Sequence, residues 1–202
     1  VEAEALHTEA LAIRRSLGDT LGMALSLTNL GFLAYDRQDL GGAEDSLQQA
    51  LAYFRDVGNP WGVALSQLGL AGVAAERDAF SQAIQLGSQA LALYKDVDYQ
   101  WGISMAQYTQ ARILLRAGNA VGALEACQRS LAVRREIRDR HGIAECLELI
   151  AAVAVAQGLA EAAARLDGAS AGLRRLINAP RSPMETAQLE RALAAVRGAM
   201  AR

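Results

Sequence analysis

The 202-residue chain is 52% hydrophobic and 21% charged with only three prolines, which is the composition of a folded globular protein and excludes a disordered one. A formal net charge of −2 argues against a basic surface for nucleic acid or anionic membrane. The longest apolar run, Leu147 to Ala156, is broken by Glu148 and is too short for a bilayer span, and no signal peptide is evident, so the cytoplasm is the expected compartment.

Taken in chain order, the first element is 1–16, VEAEALHTEALAIRRS. Its Ala3, Ala10 and Leu11 match Ala43, Ala50 and Leu51 forty residues on. It therefore reads as the second helix of a truncated repeat. The chain opens half-way through a unit and without methionine, so the expectation is a piece of a longer protein or one that has lost its first helix.

From Leu17 onward the period is explicit. Gly22, Gly62, Gly102 and Gly142 stand forty residues apart, as do Ala43, Ala83, Ala123 and Ala163. Leu17, Val57, Val97, Ile137 and Ile177 are apolar five times running. Columns constrained in size and polarity at one spacing mean a repeated packing unit. The units are 17–56, 57–96, 97–136 and 137–176.

Each unit divides into two helices. In the first, Met23, Leu27, Leu30 and Ala34 fall at i, i+4, i+7 and i+11, one stripe of an α-helix. Asp19, Asn59 and Asp139 stand at N-cap positions, and Pro60 follows Asn59 at the first helical position. Breaks follow near Arg37 to Asp39, Arg77 to Ala79, Gly118-Asn119 and Gln157-Gly158. The second helix has Ala43, Leu47, Ala50, Leu51 and Phe54 on one face. Second helices end in basic residues: Arg14-Arg15, Arg55, Lys95, Arg134-Arg135 and Arg174-Arg175. The favoured interpretation is complementation of the negative end of the helix dipole, with a binding patch as the alternative. Gly31, Ala71, Ala111 and Ala151 on first helices, and Ala50, Ala90, Ser130 and Ser170 on second helices, are small enough for close helix approach.

The last segment, 177–202, reads as a linker and a C-terminal capping helix. Ser182, Pro183 and Glu185 form a capping box. Leu189, Leu193, Val196 and Met200 make an apolar stripe on an otherwise polar helix, as a terminal cover for an array requires.

Residues for chemistry are sparse. Gly41-Gly42 lacks the lysine and strand context of a phosphate loop. His7 and His141 have no sequence neighbours that suggest a metal or a catalytic triad, and no metal or other cofactor is expected. Glu145 and Glu148 read as a solvated helical face, and Cys127 and Cys146 as small, buried, reduced side chains. A non-catalytic protein is expected.

The small residue mid-way along each first helix, the alanine twelve residues later and the further small residue seven beyond resemble the tetratricopeptide repeat over almost the whole chain. The usual repeat of that family is shorter, at about 34 residues, and longer helices would absorb the difference. HEAT and armadillo units run to about 40–47 residues and stay a minor alternative, because their proline pattern is missing here. The resemblance implies an all-α, right-handed superhelical solenoid of antiparallel helix pairs, about ten helices in all. The closing stretch, AARLDGASAGLRRLINAPRSPMETAQLERALAAV, is similar to the end of the repeat region in MalT-like and LuxR-like bacterial signalling regulators.

In tetratricopeptide arrays the first helices line a concave groove that takes peptides. By that resemblance the groove residues here are Asn29, Phe32, Tyr35, Trp61, Trp101, Tyr108, Arg112, Arg116 and Glu145. Aromatic anchors and two arginines for an acidic group suit a peptide. The alternatives are that the aromatics pack between repeats and the arginines sit in a solvated, ion-paired face. A lysine clamp for a terminal carboxylate is not expected, since the single lysine, Lys95, lies on a second helix. The implied function is a protein or peptide scaffold with no direct nucleic-acid or membrane binding. The alternatives are the ligand-sensing arm of a bacterial ATPase or transcription regulator, or a homo-oligomerisation module.

Overall fold

A computed structural model describes residues 2–183, 185–187 and 190, and its regular elements among these are all helices. They are α1 (Glu2–Leu17), α2 (Thr20–Asp36), α3 (Leu40–Asp56), α4 (Pro60–Glu76), α5 (Phe80–Asp96), α6 (Gln100–Arg116), α7 (Ala120–Glu136), α8 (Arg140–Ala156) and α9 (Ala160–Ile177). Of the expected terminal helix, residues 183, 185–187 and 190 are helical, while Leu189, Leu193, Val196 and Met200 lie outside the described residues.

From α3 onward each helix starts twenty residues after the one before it. The forty-residue sequence period is thus two helix modules of equal length, joined by three-residue connectors. Local chemistry sets those connectors. At the end of α2 the amide of Gln38 donates to the Tyr35 carbonyl (2.9 Å) and that of Asp39 to the Ala34 carbonyl (2.9 Å). This is the Schellman pattern, which needs a left-handed residue at its centre. Gly58 (φ 65) and Gly118 (φ 81) adopt that conformation without a Cβ penalty, whereas Gln38 (φ 65) and Arg138 (φ 58) adopt it with one.

The residue that closes one helix also opens the next. Asp19, Asp39, Asn59, Asn119 and Asp139 each accept from the amide three residues on, at 2.8 to 2.9 Å. That third residue is glycine every time: Gly22, Gly42, Gly62, Gly122 and Gly142. The glycine column therefore has a double cause. A Cβ on Gly142 would stand 2.2 Å from the Asp139 carboxylate and 2.7 Å from Arg134 of the preceding helix, and one on Gly62 would stand 2.1 Å from the Phe54 ring.

Two compact units are distinguished, Val1–Asp98 and Tyr99–Arg202. In the first, α2 packs on α3 and α4 on α5, α1 on α2 and α3 on α4 link successive pairs, and α2 also touches α4. In the second, α6 packs on α7 and α8 on α9, with α7 against α8 and α6 against α8. Within each unit the pairs stack as in a helical-repeat solenoid, and the protein is all-α.

The second-helix face is as expected, with Ala43, Leu47, Ala50, Leu51 and Phe54 all buried. First helices depart from a single stripe. All twelve residues from Ala64 to Ala75 of α4 are buried, because this helix is covered by its own partner and by helices of the preceding pair. The apolar column Leu17, Val57, Val97 and Ile137 does not mark the core, since all four are exposed at helix C-termini.

Candidate functional site

The residues expected in a groove divide between the two units. In the first unit, Asn29 is exposed on α2 and Phe32 is half-buried. Phe32 and Tyr35 lie over glycines of α4: a Cβ on Gly69 would stand 3.2 Å from Phe32 Cε1, and one on Gly72 3.3 Å from Tyr35 Oη. Both rings thus face the neighbouring first helix, and the missing side chains of Gly69 and Gly72 make their seats. Tyr35 is buried, with its hydroxyl 3.5 Å from Glu76 Oε1. Trp61, at the start of α4, stacks edge-on against Phe54 with centroids 6.4 Å apart.

In the second unit, Trp101 is 38% exposed and leans on Tyr99 at 6.0 Å. Tyr108 of α6 has two guanidinium groups near its ring, Arg112 at 5.9 Å and Arg134 at 4.7 Å. Burial pushes the Tyr108 phenol well above its usual range. Arg116 is half-buried on the same helix. Glu145 of α8 accepts from Arg134 Nη1 at 2.7 Å and lies 4.0 Å from His141 Nδ1. Burial raises the Glu145 carboxyl, against the pull of Arg134.

The basic residues that end the second helices do not all serve the helix dipole. Arg15, Arg55, Lys95, Arg135 and Arg175 are exposed, as that explanation requires. Arg14, Arg134 and Arg174 belong instead to an inward column whose other members are the buried Phe54 and Tyr94. Arg14 donates to the Gly22 carbonyl (2.8 Å) and Ser26 Oγ (2.7 Å). Arg134, three repeats later in the sequence, does the same, donating to the Gly142 carbonyl (2.5 Å) and approaching Cys146 Sγ (3.7 Å). The Arg134 side chain is buried, and its Nε has no hydrogen-bond partner, with Asp139 Oδ2 at 3.9 Å. Burial opposes its charge, but Glu145 and the other electron-rich groups around it raise its pKa on balance.

Glu145 and Glu148 do not form a solvated face. Glu148 is buried, and its carboxylate accepts from Ser170 Oγ (2.6 Å), Arg174 Nε (2.6 Å) and Nη2 (2.9 Å), and Arg181 Nε (2.9 Å). Arg174 also reaches Glu185 (2.8 Å), and Arg181 reaches Asp167 (2.7 Å). The expected capping box is present: Ser182 N donates to Glu185 Oε2 (2.5 Å) and Glu185 N to Ser182 Oγ (3.2 Å). Burial raises the Glu148 pKa, and the donors from Arg174, Ser170 and Arg181 outweigh it and hold the carboxyl below its usual value. A buried carboxylate held by four donors from three residues is an anchor rather than a proton-transfer group.

Cys127 and Cys146 are both fully buried and free. They come from adjacent helices and share one apolar cluster with Ala111, Ala126 and Leu149. No group of three or more metal-binding side chains occurs among the described residues. No helix of the described residues is long and apolar enough to cross a membrane. Compared with models of known protein families the chain matches none, and a search of curated proteins finds no match.

Sequence reasoning missed Arg134, Glu148, Arg174 and Arg181. One signal was present: positions 14, 54, 94, 134 and 174 hold Arg, Phe, Tyr, Arg and Arg. Arginine sharing a column with large aromatics marks an interior slot filled by a long stem.

Proposed function

We propose that this protein is a non-catalytic scaffold of tetratricopeptide type that binds an extended or helical peptide on its first helices. The single observation that carries this reading is the contact of first helix with first helix, α2 with α4 and α6 with α8. Such contacts align repeated side-chain positions into a surface, as repeat arrays do for their partners. The buried charges support the same reading, because they are spent on joining helices. Exposed Asn29 in one unit and Trp101 in the other are the side chains best placed to touch a ligand. An aromatic at such a position supplies contact area at low entropic cost.

Selection from a displayed peptide library with the intact chain tests this. The expected result is enrichment of a defined motif, weakened at least tenfold by Asn29→Ala or Trp101→Ala in a chain with unchanged helicity. No enriched motif, or one indifferent to both substitutions, would contradict the proposal.

A further inference from the structure

We infer that Cys127 and Cys146 form a peroxide-sensitive dithiol that closes to an intramolecular disulfide and staples α7 to α8. This goes beyond the scaffold reading and does not depend on it. The two are the only cysteines of the chain, one from each of two helices belonging to successive pairs. Cys127 Sγ lies 3.5 Å from the Cys146 carbonyl oxygen, and both side chains sit in one buried cluster. Neither thiol touches a metal-binding cluster among the described residues.

The surroundings make the pair unequal. Cys146 Sγ has Arg134 Nη1 at 3.7 Å and Ser130 Oγ at 3.6 Å. The Ser130 hydroxyl donates to the Ser104 carbonyl at 2.7 Å, so the Arg134 cation is what supports a thiolate at Cys146. The neighbouring Cys127 and the charge of Arg134 lower the Cys146 pKa against burial, while Cys127 is raised by its neighbour and by burial and keeps its proton. Cys146 is the attacking sulfur.

The chemistry closes with a hydroperoxide as the oxidant. The Cys146 thiolate attacks one oxygen of the O–O bond, which breaks. Its distal oxygen becomes the sulfenic acid, and the other leaves as alkoxide or hydroxide and takes up a proton. The Cys127 sulfur then attacks the sulfenic sulfur, forming the S–S bond, and the sulfenic oxygen leaves as water with the Cys127 proton. Two electrons pass from the thiols to the peroxide. Both thiols are fully buried, so access comes with opening of the α7–α8 contact, which is thinner than the contacts within the α6–α7 and α8–α9 pairs.

The test treats the full chain with hydrogen peroxide under native conditions, followed by thiol titration, intact mass and peptide mapping. Expected are joint loss of both thiols, loss of two hydrogens in mass, a mapped Cys127–Cys146 cross-link in the monomer and reversal by a thiol reductant. In Cys127→Ser, Cys146 stops at its own oxygenated acids. In Cys146→Ser, Cys127 reacts at least tenfold more slowly than Cys146 does in Cys127→Ser. The oxidised wild type unfolds at a higher temperature than the reduced one, and mapping plus this shift decide the matter even where a variant fails to fold. Survival of both thiols under conditions that oxidise the denatured chain, a cross-link only between chains, or equal reactivity of the two cysteines would each overturn the proposal.

Discussion

Glycine in this chain does two different jobs, and each position shows which. Gly62 has the Phe54 ring where a Cβ would go, at 2.1 Å, and an aromatic ring held in the core cannot turn aside. Gly41, also near a helix start, has nothing closer than Asp39 Oδ1 at 3.7 Å. Gly62→Ala should therefore destabilise the fold by about 1–3 kcal/mol through overpacking. Gly41→Ala should be neutral or stabilising by up to about 1 kcal/mol, because alanine is the better helix former. Urea denaturation of the two variants beside the wild type distinguishes them. The glycine column was plain in the sequence, but its cause was not. Spacing reports that a position is constrained to be small, whereas whether a cap carboxylate or a neighbour's ring imposes the limit is a matter of three-dimensional approach.

At the scale of elements, the caps were half legible. Asp19, Asn59 and Asp139 announce helix starts by residue type, and all three cap as expected. Tyr99 and Leu159 hold the same place without a side-chain bond, so only the period marks them. The junction of α8 with α9 was hidden for another reason. Glu148 is unremarkable on its own helix and becomes an anchor only when Arg174 and Arg181, 26 and 33 residues away, fold onto it. Its pH behaviour follows from the sign of its shift. A carboxyl held below its unfolded value stabilises the fold above that value, and the contribution is lost as pH falls below about 4.5 toward the folded pKa. Glu145, shifted upward by burial, works in the opposite sense and gains stability on acidification. Glu148→Gln should cost about 3 kcal/mol at neutral pH, since it leaves Arg174 buried with a weakened partner. It should also flatten the acid limb of the stability profile. Thermal unfolding of both chains from neutral pH down to the acid range checks this. A variant that loses stability on acidification as steeply as the wild type would remove Glu148 from its assigned role.

For the molecule as a whole, what the sequence shows most directly is the repeat, because periodic packing writes itself into columns of size. Function is less legible for the same reason. On the proposed scaffold reading no reacting group marks a motif, and the candidate contact residues lie on first helices that are also buried on several sides. Tyr35, a groove candidate by position, is buried with its ring against α4, while Asn29 six residues earlier meets solvent. The chain is a run of twenty-residue helix modules in which the residue that closes one helix opens the next. Residue-resolved amide hydrogen exchange on the intact chain tests it most directly. In an α-helix the first amides lack intrahelical partners, and here the cap side chain serves only the third. Fast exchange is expected at Gly41, Trp61, Trp101, Val121 and His141, with the next residue along, Gly42, Gly62, Gly122 or Gly142, slower wherever a cap side chain binds it. Protection running unbroken through any of these starts, or fast exchange spaced at some other interval, would contradict it.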